Sequence, residues 1–105
     1  MIYSTTEIIP GREISESVGV VTGNVVQAKH IGRDIMAGLK SIVGGELQSY
    51  SILLMQARQE AMERMIANAK EMEADAVVNF RYETSTIAAA ASEVIAYGTA
   101  IRFKN

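Results

Sequence analysis

Apolar residues recur at helical spacing through the middle of this 105-residue chain. Residues three and four apart lie on one face of an α-helix, so such a stripe indicates a helix with a buried face. The longest stripe comprises Leu47, Tyr50, Leu54, Ala57, Ala61, Met65 and Ala69. It predicts a helix over residues 46–72, which is roughly seven turns long. A shorter stripe predicts a helix over residues 31–43, and Gly44 and Gly45 then separate the two helices.

Before the helices, the chain is rich in residues that favour β-strands. Residues 1–9 contain Ile, Tyr and Thr and predict a strand that ends at the turn-forming pair Pro10-Gly11. Residues 17–29 are rich in valine and predict a second strand. Gly19 and Gly23 interrupt this strand, and interior glycines in a strand indicate a bulge or a close approach by another backbone.

Two further strands are predicted after the helices, over residues 75–84 and 93–104. In the first, regular alternation would place these side chains on one face: Val78, Phe80, Tyr82 and Thr84. In the second, one face carries mostly small residues, which are Val94, Ala96, Gly98 and Ala100. Small side chains let a helix or a neighbouring subunit pack closely, so we expect one of these to cover that face. Residues 86–92 are interpreted as the connection of a hairpin.

The predicted order is strand, strand, helix, helix, strand, strand, within a single domain over residues 1–105. Strands and helices that are segregated along the chain favour the α+β class. We expect a mainly antiparallel sheet that packs on the long helix. A ferredoxin-like monomer is the alternative fold, but two helices in mid-sequence fit it poorly.

Composition and charge narrow the classes of function. The ten basic and twelve acidic residues are scattered and give a net charge of −2, so no basic cluster supports nucleic-acid binding. No apolar run is long enough to span a membrane, and residues 1–10 lack the pattern of a signal peptide. We therefore expect a cytoplasmic protein. The apolar fraction of 49% is high for so small a domain, which favours a homo-oligomer that buries the surplus.

Candidate ligand-binding residues precede the long helix. His30 and Asp34 are four residues apart, a spacing that places an imidazole and a carboxylate on one helix face. Gly44 and Gly45 come before Glu46 at a helix start, where backbone N–H groups attract anions. The Glu46 carboxylate opposes an anion there, so a structural turn is the favoured interpretation.

The long helix carries further candidates. Arg58 lies beside the apolar stripe, where it either reaches a carboxylate of another element or subunit or extends into solvent. Met62 and Met65 offer thioethers, which we interpret as packing rather than as Cu(I) ligands. The acidic residues at the helix end are interpreted as solvated rather than as a hard-cation site: Glu71, Glu73 and Asp75. No side chains combine into a nucleophile, a base and an orienting group, and the chain has no cysteine for a thiolate metal site.

Several segments, in their order and spacing, resemble the YbjQ-like family of small bacterial and archaeal proteins. They are Arg33, Val43-Gly44-Gly45-Glu46, Tyr50, Arg58, Ala61, Ala74-Asp75-Ala76-Val77-Val78 and Tyr97-Gly98-Thr99-Ala100. The resemblance covers nearly the whole chain and implies a dodecin-like α+β subunit that forms a ring-shaped homopentamer. The family carries a heavy-metal-binding label and no established biochemical activity. One departure is Glu73, where the family usually has the glycine that ends the long helix.

These observations predict a non-catalytic, homo-oligomeric binding or scaffold protein that holds a small ligand or a divalent metal ion at subunit contacts. The ligand-binding candidates are Arg33, Gly44, Gly45, Glu46, Tyr50 and Arg58. The weaker metal candidates are His30, Asp34 and Glu46. The alternative is an enzyme whose active site forms between subunits, since sequence spacing does not reveal residues that meet across an interface. Its candidate residues are Arg33, Tyr50, Arg58 and Tyr97.

Overall fold

The computed structural model describes residues 1–27, 48–88 and 91–105. In these residues four strands and one helix follow one another: β1 Ile2–Tyr3, β2 Ile14–Gln27, α1 Gln48–Glu71, β3 Ala76–Ala88 and β4 Ala91–Phe103. The strands form one sheet in the order β1-β3-β4-β2, in which β1 runs parallel to β3 and the other two pairings are antiparallel. A mixed sheet with a helix packed on it belongs to the predicted α+β class. The helix predicted over residues 31–43 lies outside the described residues.

The first strand is much shorter than predicted. β1 has only two residues, after which the chain bends. The Thr6 backbone N–H donates to the Ser4 hydroxyl (3.1 Å), and the Thr6 hydroxyl donates to the Ile8 carbonyl (2.6 Å). Hydroxyl side chains that bond to nearby backbone groups compete with the ladder of a sheet. The strand prediction for residues 4–9 is therefore wrong.

β3 contains a bulge that changes which residues share a face. Asn79 has a φ of 53°, and the register with β4 shifts between Val78 and Arg81. An extra residue in one strand disrupts the regular alternation of its side chains. The prediction that Val78 shares a face with Phe80 is wrong, because Phe80 packs under α1 whereas Val78 belongs to a separate cluster.

The connection between β3 and β4 is also shorter than the predicted residues 86–92. β3 continues to Ala88, β4 begins at Ala91, and Thr86 pairs with Ser92. Alanine has little intrinsic preference for strands. Pairing within the hairpin therefore overrides the local preference of this alanine-rich segment.

α1 packs on the small-residue face of β4, where the sequence predicted a helix or a neighbouring subunit. Val94, Ala96 and Ala100 are almost fully buried on this face. They form one core with residues from the predicted stripe of the helix, namely Ala57, Ala61, Met65 and Ala69. The small side chains allow the helix axis to lie close to the sheet.

The two interior glycines of β2 have the roles that the sequence indicated. A Cβ atom on Gly23 would overlap the backbone of Ala61 and Met65 in α1, so only glycine fits at this crossing. Gly19 lies where the register between β2 and β4 shifts, and its φ is 150°. Gly23 marks a close approach and Gly19 marks a bulge, as predicted.

Polar side chains of α1 cover the free edge of β2. Asn68 Nδ2 donates to the Thr22 carbonyl (2.7 Å), and Arg64 Nη1 donates to the Asn24 carbonyl (2.6 Å). Two strand residues span about 6.6 Å and four helix residues span about 6 Å, so the two spacings nearly match. These carbonyls are consequently less available for pairing with another strand.

The long helix ends in a Schellman motif that lacks glycine. The Ala74 N–H donates to the Ala69 carbonyl (3.1 Å), and the Glu73 N–H donates to the Lys70 carbonyl (3.0 Å). This hydrogen-bond pattern requires a left-handed residue at the position of Glu73, which has a φ of 59°.

Arg102 of β4 holds the end of the helix. Its Nε donates to the Glu73 carbonyl (3.0 Å), and its Nη2 donates to the Met72 carbonyl (3.1 Å). Its Nη1 forms an ion pair with Glu16 (2.6 Å). A cation at a helix C-terminus also interacts favourably with the helix dipole.

A smaller cluster lies on the face of the sheet away from α1. It consists of Ala76, Val78, Ile101 and Phe103, with Ile9 and Ile14 packed against it. The guanidinium of Arg12 lies 4.0 Å from the centre of the Phe103 ring. Farther along this face the side chains of Val20 and Val26 in β2 are 76% and 52% exposed.

Candidate functional site

Most of the site residues predicted from the sequence lie outside the described residues. These are His30, Arg33, Asp34, Gly44, Gly45 and Glu46. Tyr50 lies in the first turn of α1, where only the backbone is described. Tyr97 in β4 is described, and its hydroxyl lies 3.5 Å from a carboxylate oxygen of Glu83. Among the ligand-binding candidates, Arg58 is the residue whose side-chain position the structure describes.

Arg58 lies on a different side of α1 from Arg64, which bonds to β2. Successive helix residues are rotated by about 100°, which places Arg58 about 120° around the helix from Arg64. Arg64 covers the edge of β2, on the other flank. The Arg58 side chain is exposed, and its Nε lies 3.4 Å from the Leu54 carbonyl of the preceding turn. Among the described residues no carboxylate pairs with Arg58, whereas Arg64 forms an ion pair with Glu60 (2.6 Å).

Three aromatic rings meet at the β1–β3 side of the sheet. The ring centres of Tyr3 and Phe80 are 5.6 Å apart, and those of Phe80 and Tyr82 are 4.8 Å apart at an interplanar angle of 76°. Tilted and edge-to-face arrangements of this kind are favourable. Phe80 is 7% exposed and anchors the group in the core, while Tyr3 and Tyr82 are 46% and 40% exposed. The two phenol rings therefore offer apolar surface and a hydroxyl group each.

The electrostatics of Tyr82 link these rings to Arg58. Partial burial raises the pKa of Tyr82 above its ordinary value of 10.0, and the neighbouring Tyr3 raises this pKa further. The positive charge of Arg58 acts on the same hydroxyl and lowers its pKa. The Tyr82 hydroxyl is therefore the group on which both Tyr3 and Arg58 act. We refer to Arg58, Tyr3, Phe80 and Tyr82 as the Arg58 cluster.

The Arg58 cluster combines groups that suit the binding of an anion. A guanidinium forms two parallel hydrogen bonds to a carboxylate or phosphate. A phenol hydroxyl donates one more, and the rings supply apolar contact. The cluster contains no nucleophile with an adjacent base.

The sequence singled out Arg58 and missed the group of three aromatic residues. Three of the six Tyr and Phe residues in the chain meet here. The parallel pairing of β1 with β3 brings Tyr3 to this place, and the bulge at Asn79 turns Phe80 towards the helix. Neither feature has a local signal in the sequence. The indication available in the sequence for this aromatic group was the presence of aromatic residues in two of the predicted strands.

The described residues do not form a metal site. They contain no group of three or more His, Cys, Asp or Glu side chains that could hold a metal ion. The Asp75 carboxylate instead accepts a hydrogen bond from the Phe103 backbone N–H (2.8 Å). Met62 and Met65 are buried in the core, which agrees with their interpretation as packing residues. The metal candidates His30, Asp34 and Glu46 lie outside the described residues.

Comparison with known proteins identifies the family. A family model of YbjQ-like proteins, described as "Putative heavy-metal-binding", matches residues 1–104. The chain belongs to the YbjQ-like family. Among YbjQ-like relatives, a UPF0145 protein of Psychromonas ingrahamii is 64% identical over 104 residues, with 99% of each chain covered. A UPF0145 protein of Archaeoglobus fulgidus is 56% identical over 104 residues, which cover 99% of this chain and 96% of the relative.

A solved structure has a similar fold. A protein of unknown function from Pediococcus pentosaceus, described as a member of the DUF74 family, superimposes with a TM-score of 0.66. The superposition covers 99% of this chain and 98% of the other, at 19% sequence identity. At that identity the likeness concerns the fold alone. Within the described part of the chain, no helix is long and apolar enough to cross a membrane.

Proposed function

We propose that this YbjQ-like protein is a non-catalytic binding protein that works as a homo-oligomer. The observation that carries the proposal is the large surface that the single chain leaves exposed. A folded monomer of 11.4 kDa keeps roughly 5,800 Å² of accessible surface. This chain keeps 6960 Å², which is about 1,200 Å² more. Association with further copies would remove this surplus from water.

The shape of the chain also supports association. Its radius of gyration is 17.0 Å, whereas a compact domain of this length has a radius of gyration of about 13 Å. A subunit this extended has too little interior to bury its apolar residues alone. Neighbouring copies would supply the missing packing layer.

The open face of the sheet is the surface that we propose for this contact. It carries the exposed side chains of Val20 and Val26 in β2, next to the half-buried Ile95 and Tyr97 in β4. Contiguous apolar surface is a common mark of a site where another molecule binds. A second copy is the occupant that the surplus surface favours.

Static light scattering at micromolar concentration tests the assembly. We expect a mass several times 11.4 kDa, and the resemblance to the family favours five copies. A Val20→Asp variant should lower the mass, because a carboxylate would be buried without a partner. Ile52→Asp is the matched control, since Ile52 is 55% exposed on the side of α1 away from the sheet. A mass of 11.4 kDa for the unmodified chain would refute the assembly.

A metal ion is one candidate ligand, because the description of the family names heavy-metal binding. The chemistry of this chain argues against a soft heavy metal, because there is no cysteine and only one histidine. We expect elemental analysis of protein purified without a histidine tag to find less than one metal ion per chain. The melting temperature should also stay constant when Zn²⁺ is added. One bound ion per chain, lost in a His30→Ala variant, would reverse this conclusion.

A further inference from the structure

The outer edge of β3 is covered by the rest of the chain for only part of its length. β4 pairs with β3 from end to end on one side, whereas β1 pairs on the other side only with Ala76 and Val77. The loop after β1 extends this cover as far as Phe80, whose backbone N–H donates to the Ser4 carbonyl (2.9 Å). Over residues 82–86, no backbone group of the described residues bonds to this edge.

The alternation of the strand shows which backbone groups of this edge lack a partner. The Phe80 N–H points away from β4, towards Ser4. Phe80 and Tyr82 share a face of the sheet, since their ring centres are 4.8 Å apart, so the strand alternates regularly after the bulge. Successive residues of an antiparallel strand direct their backbone groups to opposite sides. The N–H and C=O groups of Tyr82, Thr84 and Thr86 therefore point outward.

This part of β3 lacks the features that usually keep strand edges apart. Residues 81–86 are exposed on both faces of the sheet. Proteins commonly block an edge with lysine, proline or a bulge. Residues 82–86 contain neither lysine nor proline, and their register with β4 is regular. The edge of β2 differs, because Arg64 and Asn68 hold its carbonyls. The outer edge of β3 is thus the one that is open to another strand.

The open edge of β3 is complementary to a second copy of itself. An antiparallel pair about a two-fold axis at Thr84 sets Tyr82 opposite Thr86 of the second copy. The outward-facing residues then exchange hydrogen bonds in both directions. Glu83 lies opposite Ser85 of the second copy, whose hydroxyl donates to the carboxylate. An axis at Glu83 would instead oppose two carboxylates, which is unfavourable.

We propose that two copies of the chain join edge to edge through β3, so that their sheets continue as one across Tyr82, Thr84 and Thr86. This inference extends the homo-oligomer proposed above by a second contact, which is separate from the open face of the sheet. A two-fold contact of identical strands closes after one partner has bound. It therefore joins copies, or closed rings of copies, in pairs, and the number of copies should be even.

Hydrogen exchange of the full chain, resolved to single amides, tests the pairing directly. The outward N–H groups of Tyr82, Thr84 and Thr86 have no acceptor among the described residues, whereas a second copy gives each of them a carbonyl. We expect these amides to exchange at least about tenfold more slowly than the outward N–H groups of Thr22 and Asn24. Those two are the control, because they lie on the edge of β2 that α1 covers.

A Thr84→Pro variant tests the contact through the mass of the assembly, measured by native mass spectrometry. Proline removes the outward N–H and no bond to β4, and edge strands accept it at such positions, so the subunit should stay folded. We expect the variant to have half the mass of the unmodified assembly. Thr84→Val is the matched control, because it keeps the N–H and the preference for strands. Its assembly should keep the full mass, and circular dichroism should show the same sheet content in both variants.

The Val20→Asp variant separates this contact from the one on the open face. If both contacts exist, Val20→Asp leaves dimers, and its combination with Thr84→Pro leaves single chains of 11.4 kDa. An unmodified dimer that only Thr84→Pro dissociates would support the edge contact and refute the open-face contact.

Three results would overturn the edge contact. The first is fast exchange of the outward amides of β3, and the second is an odd number of copies. An assembly that meets either condition remains a homo-oligomer without this contact. The third is slow exchange together with an unchanged mass in Thr84→Pro, which would mean that something other than a second copy occupies the edge.

Discussion

Glu73 has a backbone conformation that is unfavourable for a residue with a side chain. Its φ of 59° lies in the left-handed region, which costs about 1–2 kcal/mol for residues with a Cβ atom. The Schellman hydrogen bonds of Ala74 and Glu73 and the contacts from Arg102 hold it there. The sequence had already marked this position, because the family usually has glycine at it. The structure shows that this helix end adopts the Schellman geometry without glycine.

We expect Glu73→Gly to raise the free energy of unfolding by about 1 kcal/mol, because glycine adopts this conformation without strain. Chemical denaturation at a fixed protein concentration measures the change. Glu71→Gly is the matched control, since Glu71 lies within α1. That variant should be destabilised by about 1 kcal/mol. Destabilisation of both variants to the same extent would contradict this account of Glu73.

The pKa of Tyr82 should lie above its ordinary value because of its surroundings. Burial, and then Tyr3, raise the pKa of Tyr82, so the folded state favours the neutral phenol. The resulting stabilisation is complete below the ordinary pKa of 10.0 and is lost as the pH rises above it. NMR titration of ¹³C-labelled tyrosine, assigned with Tyr82→Phe, measures this pKa directly.

The Arg58→Gln variant provides a second test of the same pair. Removal of the positive charge should raise the pKa of Tyr82 further, because Arg58 lowers it in the unmodified chain. Arg64→Gln should leave this pKa unchanged, since Arg64 is on the flank that faces β2. A lower pKa of Tyr82 in Arg58→Gln would show that the two side chains do not interact as described.

At the scale of elements, the contact between α1 and β2 depends on the lack of a side chain at Gly23. A Cβ atom there overlaps the helix backbone at Ala61 and Met65, and backbone atoms cannot rotate away. Arg64 and Asn68 then bond to the edge carbonyls on either side of this crossing. The glycine therefore fixes how close the helix lies, and the polar side chains fix its position along the strand.

We expect Gly23→Ala to lower the free energy of unfolding by about 3 kcal/mol, since the helix must move away from the sheet. Thermal unfolding followed by circular dichroism measures the loss. Thr22→Ala is the control because the Thr22 side chain is exposed. It should cost less than about 1 kcal/mol. An unchanged melting temperature in Gly23→Ala would mean that the helix does not lie against β2 as closely as described.

At the scale of the whole molecule, the described residues form a four-stranded sheet with one long helix packed on part of one face. The exposed area of 6960 Å² and the radius of gyration of 17.0 Å both exceed what a compact monomer of this size shows.

Stability should depend on protein concentration if copies of the chain complete each other's core. We expect the melting temperature to rise measurably between about 1 and 100 µM protein, because mass action favours the associated folded state. Differential scanning calorimetry across this range measures the shift. The Val20→Asp variant should melt at a lower temperature at every concentration. A melting temperature independent of concentration for the unmodified chain would count against an obligate oligomer.

The sequence by itself determined the α+β class, the long helix and the small-residue face of β4. These features follow from local periodicity, since residues three or four apart share a helix face and alternate residues share a strand face. It also indicated the roles of Gly19 and Gly23, because glycine weakens the interior of a strand and occurs there mainly at bulges and close backbone approaches. Arg58 was identified for its charge beside an apolar stripe.

The tertiary structure alone decided that Tyr3, Phe80 and Tyr82 meet. The parallel pairing of the two-residue β1 with β3 joins distant parts of the chain, and the bulge at Asn79 reverses the expected face of Phe80. Both depend on hydrogen bonds between strands rather than on preferences along one strand. Periodicity predicts which face of an element is buried, but only the packing of elements decides which side chains meet.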